Sequence, residues 1–192
     1  MKAFYQQHIE NIRSNDKHLQ NQSYETLLQE TNEVVDWAYD VWDELLDLLQ
    51  NGDNHQRSIA AQVLSNLTKS DPQNKMLNDL DQLIQGTKDE KFVTARHTLQ
   101  CLWKVGVEGE ALRQKLINEL TKRYTECEAE KNTTLIRYDI TEVLRKIYDQ
   151  VADPSILEKS LELISQEKDE KYRKKYTTVW KGALKKDQKM NR

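Results

Sequence analysis

The chain has 192 residues, 37% hydrophobic and 32% charged, with a formal net charge of −3. Its length suits one domain and leaves enough chain to bury a core. Five glycines and two prolines exclude a collagen-like sequence, two distant cysteines exclude a disulfide-stapled one, and no apolar run approaches the roughly 20 residues that cross a bilayer.

The N-terminal MKAFYQQHIENIR lacks the apolar run of a secretory signal, and two unpaired thiols suit a reducing compartment. A cytoplasmic protein with no membrane partner is the expectation. Two helical stretches come first, about Ala3 to Gln20 with Phe4, His8 or Ile9, Ile12 and Leu19 on one stripe, and Tyr24 to Ala38 with Leu27, Leu28, Val34, Val35 and Ala38 on another. Four helix pairs follow, over 40–70, 75–105, 111–149 and 154–186. Their first helices carry Leu45, Leu48 and Leu49, then Leu77, Leu80 and Ile84, then Leu112, Leu116 and Leu120, then Leu157, Leu161 and Ile164. The second helices carry Ala60, Leu64 and Leu67, then Ala95, Leu99 and Leu102, then Ile140, Leu144 and Ile147, then Tyr176, Trp180 and Ala183. These three- and four-residue spacings predict amphipathic helices, hence an all-α protein.

Punctuation follows the same period. Gly52 and Gly86 fall where a helix ends and a left-handed residue is expected, and the dipeptides Asp71-Pro72 and Asp153-Pro154 stand where a helix starts. The longest irregular stretch is Thr125 to Thr133. From Lys168 onward the chain carries ten basic and three acidic residues, a net of +7, leaving −10 for the rest and a basic tail at 187–192. A lone helix pair cannot bury its stripe, so the pairs are expected to stack, with residues 1–39 as an N-terminal capping pair in one domain over 1–192.

The order of an apolar first helix, a short loop with Asp, then Arg and an Ala/Leu-rich second helix resembles the HEAT repeat. LLDLLQNGDNHQRSIAAQVLSNL, Leu45 to Leu67, carries it best, with Asp53 and Arg57 four apart, as are Asp169 and Arg173. The resemblance covers about 40–185 and weakens in the last two pairs. It implies a right-handed α-solenoid of about four pairs plus the cap, with second helices lining a concave groove, and it implies no reaction. In that register the groove stripe reads Gln62, Asn66 and Lys69, then His97, Cys101 and Lys104, then Glu142, Lys146 and Asp149, then Thr178, Lys181 and Lys185.

No nucleophile elbow, phosphate loop, HExxH or CxxC motif is present. His97 and Cys101 are one helical turn apart, but two ligands make half a metal site. No catalytic residue, metal or cofactor is assigned, and no small-molecule substrate is indicated. Arg57, Arg137 and Arg173 read as members of an internal hydrogen-bond ladder ahead of a phosphate clamp. Trp180 occupies a core phase and Trp103 lies beside one, while Trp37 and Trp42 divide between core and surface. The expected function is a non-enzymatic scaffold whose groove binds a protein partner. The alternative is nucleic-acid binding, since alkylation-repair glycosylases also use HEAT-like repeats, although no Trp here has an acidic residue four positions later.

Overall fold

A computed structural model describes the backbone of residues 3–190 and the side chains of residues 3–185. The basic tail expected at 187–192 lies outside the described residues. The described elements are helices, with no strand among them: α1 (Phe4–Arg13), α2 (Lys17–Glu30), α3 (Ala38–Asn51), α4 (Asn54–Leu67), α5 (Lys75–Gly86), α6 (Phe92–Cys101), α7 (Trp103–Gly106), α8 (Glu110–Glu126), α9 (Thr133–Val151), α10 (Pro154–Ser165) and α11 (Glu170–Met190). None is long and apolar enough to cross a membrane among the described residues. The fold is therefore all-α, as the periodicity predicts. Residues 1–113 and 114–192 form two compact units, and α8 begins in one and ends in the other.

In the first unit α1 packs on α2 and α3, α3 on α4 and α5, and α4 on α2 and α6. Odd helices α1, α3 and α5 thus form one layer, and α2, α4 and α6 the other. Ile9, Ile12, Leu27, Trp42, Leu45, Ile59, Leu64 and Leu67 fill the space between them and are fully buried. Each such side chain contributes about 1.5–3 kcal/mol relative to exposure. In the second unit α9, α10 and α11 pack pairwise on one another, with Tyr176 and Trp180 of α11 buried. Tyr148 meets the Trp180 ring edge-on at 5.5 Å.

Several local expectations need correction. The first two helices do not run over Ala3 to Gln20 and Tyr24 to Ala38. The chain breaks at 14–16 because the Asp16 carboxylate accepts the N–H groups of His18 and Leu19, starting α2 there. The buried Gln20 amide donates to the Ile12 and Ser14 carbonyls left open at the end of α1. Phe4, Leu19 and Val34, expected on core stripes, are exposed.

Gly52 and Gly86 are not left-handed either. Gly52 has φ −70° and ψ 168°, and glycine is needed because a Cβ there would lie 2.5 Å from the Leu48 carbonyl oxygen. Gly86 closes α5 against α6, where a Cβ would stand 3.0 Å from Thr98 Cγ2. The glycine with positive φ is Gly109, at 125°, at the entry to α8. Asp71 caps α5 through the N–H groups of Lys75 and Met76, but Pro72 lies in the preceding turn; Pro154 sits in the first turn of α10, with Asp153 as its cap.

Candidate functional site

Short polar side chains tie the α2, α4 and α6 layer of the first unit together. The Tyr24 hydroxyl donates to Gln62 Oε1 at 2.7 Å, and Gln62 Nε2 donates to the Ser58 carbonyl at 3.1 Å. Ser58 Oγ in turn lies 2.9 Å from His97 Nδ1. One turn further along, Asn66 Nδ2 donates to Thr31 Oγ1 at 3.0 Å while Lys104 Nζ donates to Asn66 Oδ1. Ser65 Oγ and Cys101 Sγ are 3.1 Å apart.

Six expected groove residues are thus brought onto one layer: Gln62, Asn66, Lys69, His97, Cys101 and Lys104. They do not form an open stripe. Asn66 and Cys101 are buried and spend their polar atoms on neighbouring helices. Burial also pushes the Cys101 thiol up to about 11, which leaves it a poor nucleophile at neutral pH. His97 is exposed with its Nδ1 at Ser58, and among the described residues no three His, Cys, Asp or Glu gather at metal-binding range.

The stripe is hollowed at its Lys69 and Lys104 end. There a cleft of about 310 Å³ is lined by Asn32, Asn66, Lys69, Trp103, Lys104, Val107 and Glu108. A second cleft of about 370 Å³ is lined by Val34, Val35, Asp36, Tyr39, Asp71 and Pro72, among others, and it shares both Lys69 and Glu108 with the first. Lys69 Nζ donates to the Asn32 carbonyl at 2.6 Å, tying the end of α4 to the loop after α2. Lys104 Nζ stands 6.0 Å from the centre of the Trp103 ring. The half-buried Glu108 carboxyl is raised by desolvation, an effect that Lys69 partly opposes.

Glu108, Asn32 and the Val34 to Asp36 turn were absent from the expected groove. They lie in connections rather than on helical faces, so no helical periodicity marks them. The glycines of VGVEGE, Val105 to Glu110, are the only local signal.

In the second unit Thr178, Lys181 and Lys185 line a shallow depression with Thr177 and Leu184, of about 330 Å³. Glu142 accepts from the Tyr138 hydroxyl at 2.9 Å, Asp149 takes Arg145, and Lys146 is exposed. The tryptophans separate cleanly. Trp42 and Trp180 are buried, Trp37 stacks on Tyr5 at 5.1 Å, and Trp103 lines the first cleft.

The arginines are engaged internally. Arg57 grips the Asp89 carboxylate with two N–H groups, at 2.6 and 2.9 Å, and also donates to the Gly52 carbonyl. Its partner is the loop carboxylate after α5 rather than Asp53, which caps α4 and takes Lys17. Arg137 bonds Glu167 at 3.0 Å, both buried, and Arg173 donates to the Glu167 carbonyl. No protein-family model matches the chain, and no curated protein matches it in sequence.

Proposed function

We propose that the chain is a non-enzymatic binding module, built as a solenoid of HEAT-like helix pairs, that receives a segment of a protein partner. The observation that carries this reading is the pair of adjoining clefts at the Lys69 end of α4. They combine an aromatic ring, Trp103, with aliphatic side chains and charges of both signs, which is the surface that a polypeptide with mixed side chains complements. A phosphate backbone is a poor match, because Asp36, Asp71 and Glu108 stand in the same surface.

Two features support the HEAT-like reading within the first unit. Asp16, Asp53 and Asp89 each accept backbone N–H groups at the start of α2, α4 and α6. Side-chain bonds also recur between residues separated by 36, 32 and 38 positions, as at Lys17 to Asp53, Arg57 to Asp89 and Tyr24 to Gln62. A stack of similar pairs gives offsets in such a narrow range, close to the length of one pair.

The test places a photo-crosslinking amino acid at Val107, in the cleft, and separately at Gln150, an exposed control. A discrete protein adduct in cells from position 107 alone is the expected result. Equal adducts from both positions, or tight and steeply salt-dependent retention on duplex DNA, overturn it.

A further inference from the structure

The second cleft has a chemistry of its own, and Glu108 is its centre. This carboxylate is half-buried yet receives no hydrogen bond or ion pair among the described residues, and desolvation holds its proton more tightly than usual. The neighbouring acidic and basic groups are otherwise committed or turned to solvent. Asp71 is occupied by the Tyr39 hydroxyl at 2.5 Å and by two backbone N–H groups. Lys69 directs its amine to the Asn32 carbonyl. Asp36 is exposed and makes no side-chain bond.

The remainder of the wall sets the aliphatic Val34, Val35 and Pro72 beside the hydroxyl side chains of Tyr39, Thr68 and Ser70. Val34, in the connection after α2, is 72% exposed and stands in the cleft beside Val35 and Pro72. The cleft therefore presents an aliphatic strip with an excess of negative charge, three carboxylates against Lys69. A long cationic side chain matches both halves at once, its methylene stem lying on the valines and proline and its head between carboxylates. An acidic side chain would meet Glu108, Asp36 and Asp71 with one lysine to offset them.

We propose that this cleft seats an arginine or lysine side chain of the partner segment, with Glu108 as the anion that pairs with it. The assignment rests on the binding reading above and names the chemistry of its anchor. An unpartnered, partly desolvated carboxylate costs free energy in the unbound protein, and an arriving guanidinium or ammonium relieves that cost while gaining charge-assisted hydrogen bonds.

Three small probes test it on the full chain: N-acetyl-arginine methylamide, its norleucine analogue and its aspartate analogue, each titrated into isotope-labelled protein while amide shifts are followed by NMR. Saturable shifts at Val35 and Glu108 with the arginine probe are expected, weakened roughly fivefold in Glu108→Gln, whose unchanged spectrum elsewhere shows that it folds. Asp36→Asn gives a second, smaller loss at an exposed position. Equal shifts from norleucine overturn the charge assignment and leave an apolar subsite. Stronger shifts from aspartate also overturn it, while the binding reading survives. No shift with any probe removes both.

Discussion

The two units of the chain solve the same packing problem with different chemistry. In the first, successive helices are joined by small polar groups and by an ion pair from a helix to a loop, as in Asn66 to Thr31, Tyr24 to Gln62 and Arg57 to Asp89. In the second, aromatic and guanidinium groups are driven inward. Arg137 is buried over the Tyr124 ring, 4.8 Å from its centre, and bonds Glu167, while Arg145 covers Trp180 and donates to the Val179 carbonyl. The hydroxyl of Tyr124 and the indole N–H of Trp180 are buried with no hydrogen-bond partner among the described residues. The comparison teaches that the weakening of the HEAT-like pattern after residue 110 does not mark a loss of helix. It marks a change in what holds one helix to the next.

The tryptophans give the largest test of that contrast. Trp42→Ala and Trp180→Ala each remove a fully buried indole and should cost about 3–5 kcal/mol in urea unfolding. The Phe variants separate the two units. Trp42 Nε1 donates to Asp79 Oδ2 at 2.9 Å, so Trp42→Phe takes one of two donors from that carboxylate, leaving Gln82 at 3.3 Å, as well as opening space. Trp180 Nε1 donates to nothing among the described residues, so Trp180→Phe loses packing alone and should be the milder change by about 1 kcal/mol. Equal costs for the two Phe variants would break the comparison.

Much of this was legible in the residues. The apolar spacing marks every long helix after residue 38, and Asp53, Asp89 and Asp169 stand just ahead of α4, α6 and α11 though no aspartate precedes α9, because both signals are local and set by helical geometry. The break at Asp16 was missed because the apolar stripe from Phe4 to Leu19 continues through it, and a cap wins over periodicity only when a neighbour such as Gln20 can satisfy the broken end. The pairing of Arg57 with Asp89 instead of Asp53 was illegible for a related reason: the contact spans 32 residues and depends on how one pair lies on the next. Glu108 and the turn at Val34 carry no periodic signal at all, so the clefts could be found only in three dimensions.

The two arginines provide the next test, of intermediate size. Arg137→Met leaves the Glu167 carboxylate buried, with 7% of its side chain exposed, and should cost about 3–5 kcal/mol. Arg57→Met abandons a carboxylate whose side chain is 6% exposed but which borders an open cleft and keeps the Lys91 N–H, and should cost about 2–3 kcal/mol. Acid sharpens the distinction. Burial alone raises the Asp89 carboxyl, but the bonds from the Arg57 guanidinium and the Lys91 N–H outweigh it and hold the group below the ordinary value. A depressed carboxyl stabilises the fold above its unfolded pKa and ceases to do so as pH falls through the folded one. The gap between wild type and Arg57→Met should therefore be full at pH 7 and should narrow below about pH 4.

Glu108 reverses that dependence and gives the smallest effect. Desolvation raises its carboxyl, so the folded chain binds this proton more readily than the unfolded one. Its charged form consequently opposes folding above the folded pKa, and the opposition disappears as pH falls below the unfolded value. Glu108→Gln should stabilise the protein slightly at pH 7, by about 0.5 kcal/mol or less because the group is half-exposed, and should match wild type near pH 3. Thermal melts at the two pH values read this directly. Destabilisation at pH 7 would mean that the carboxylate already has a partner in the folded chain, and the case for an incoming cation would fall with it. A slight gain, by contrast, is the mark of a side chain kept at a cost to the free protein, for which a bound cationic group is the compensation.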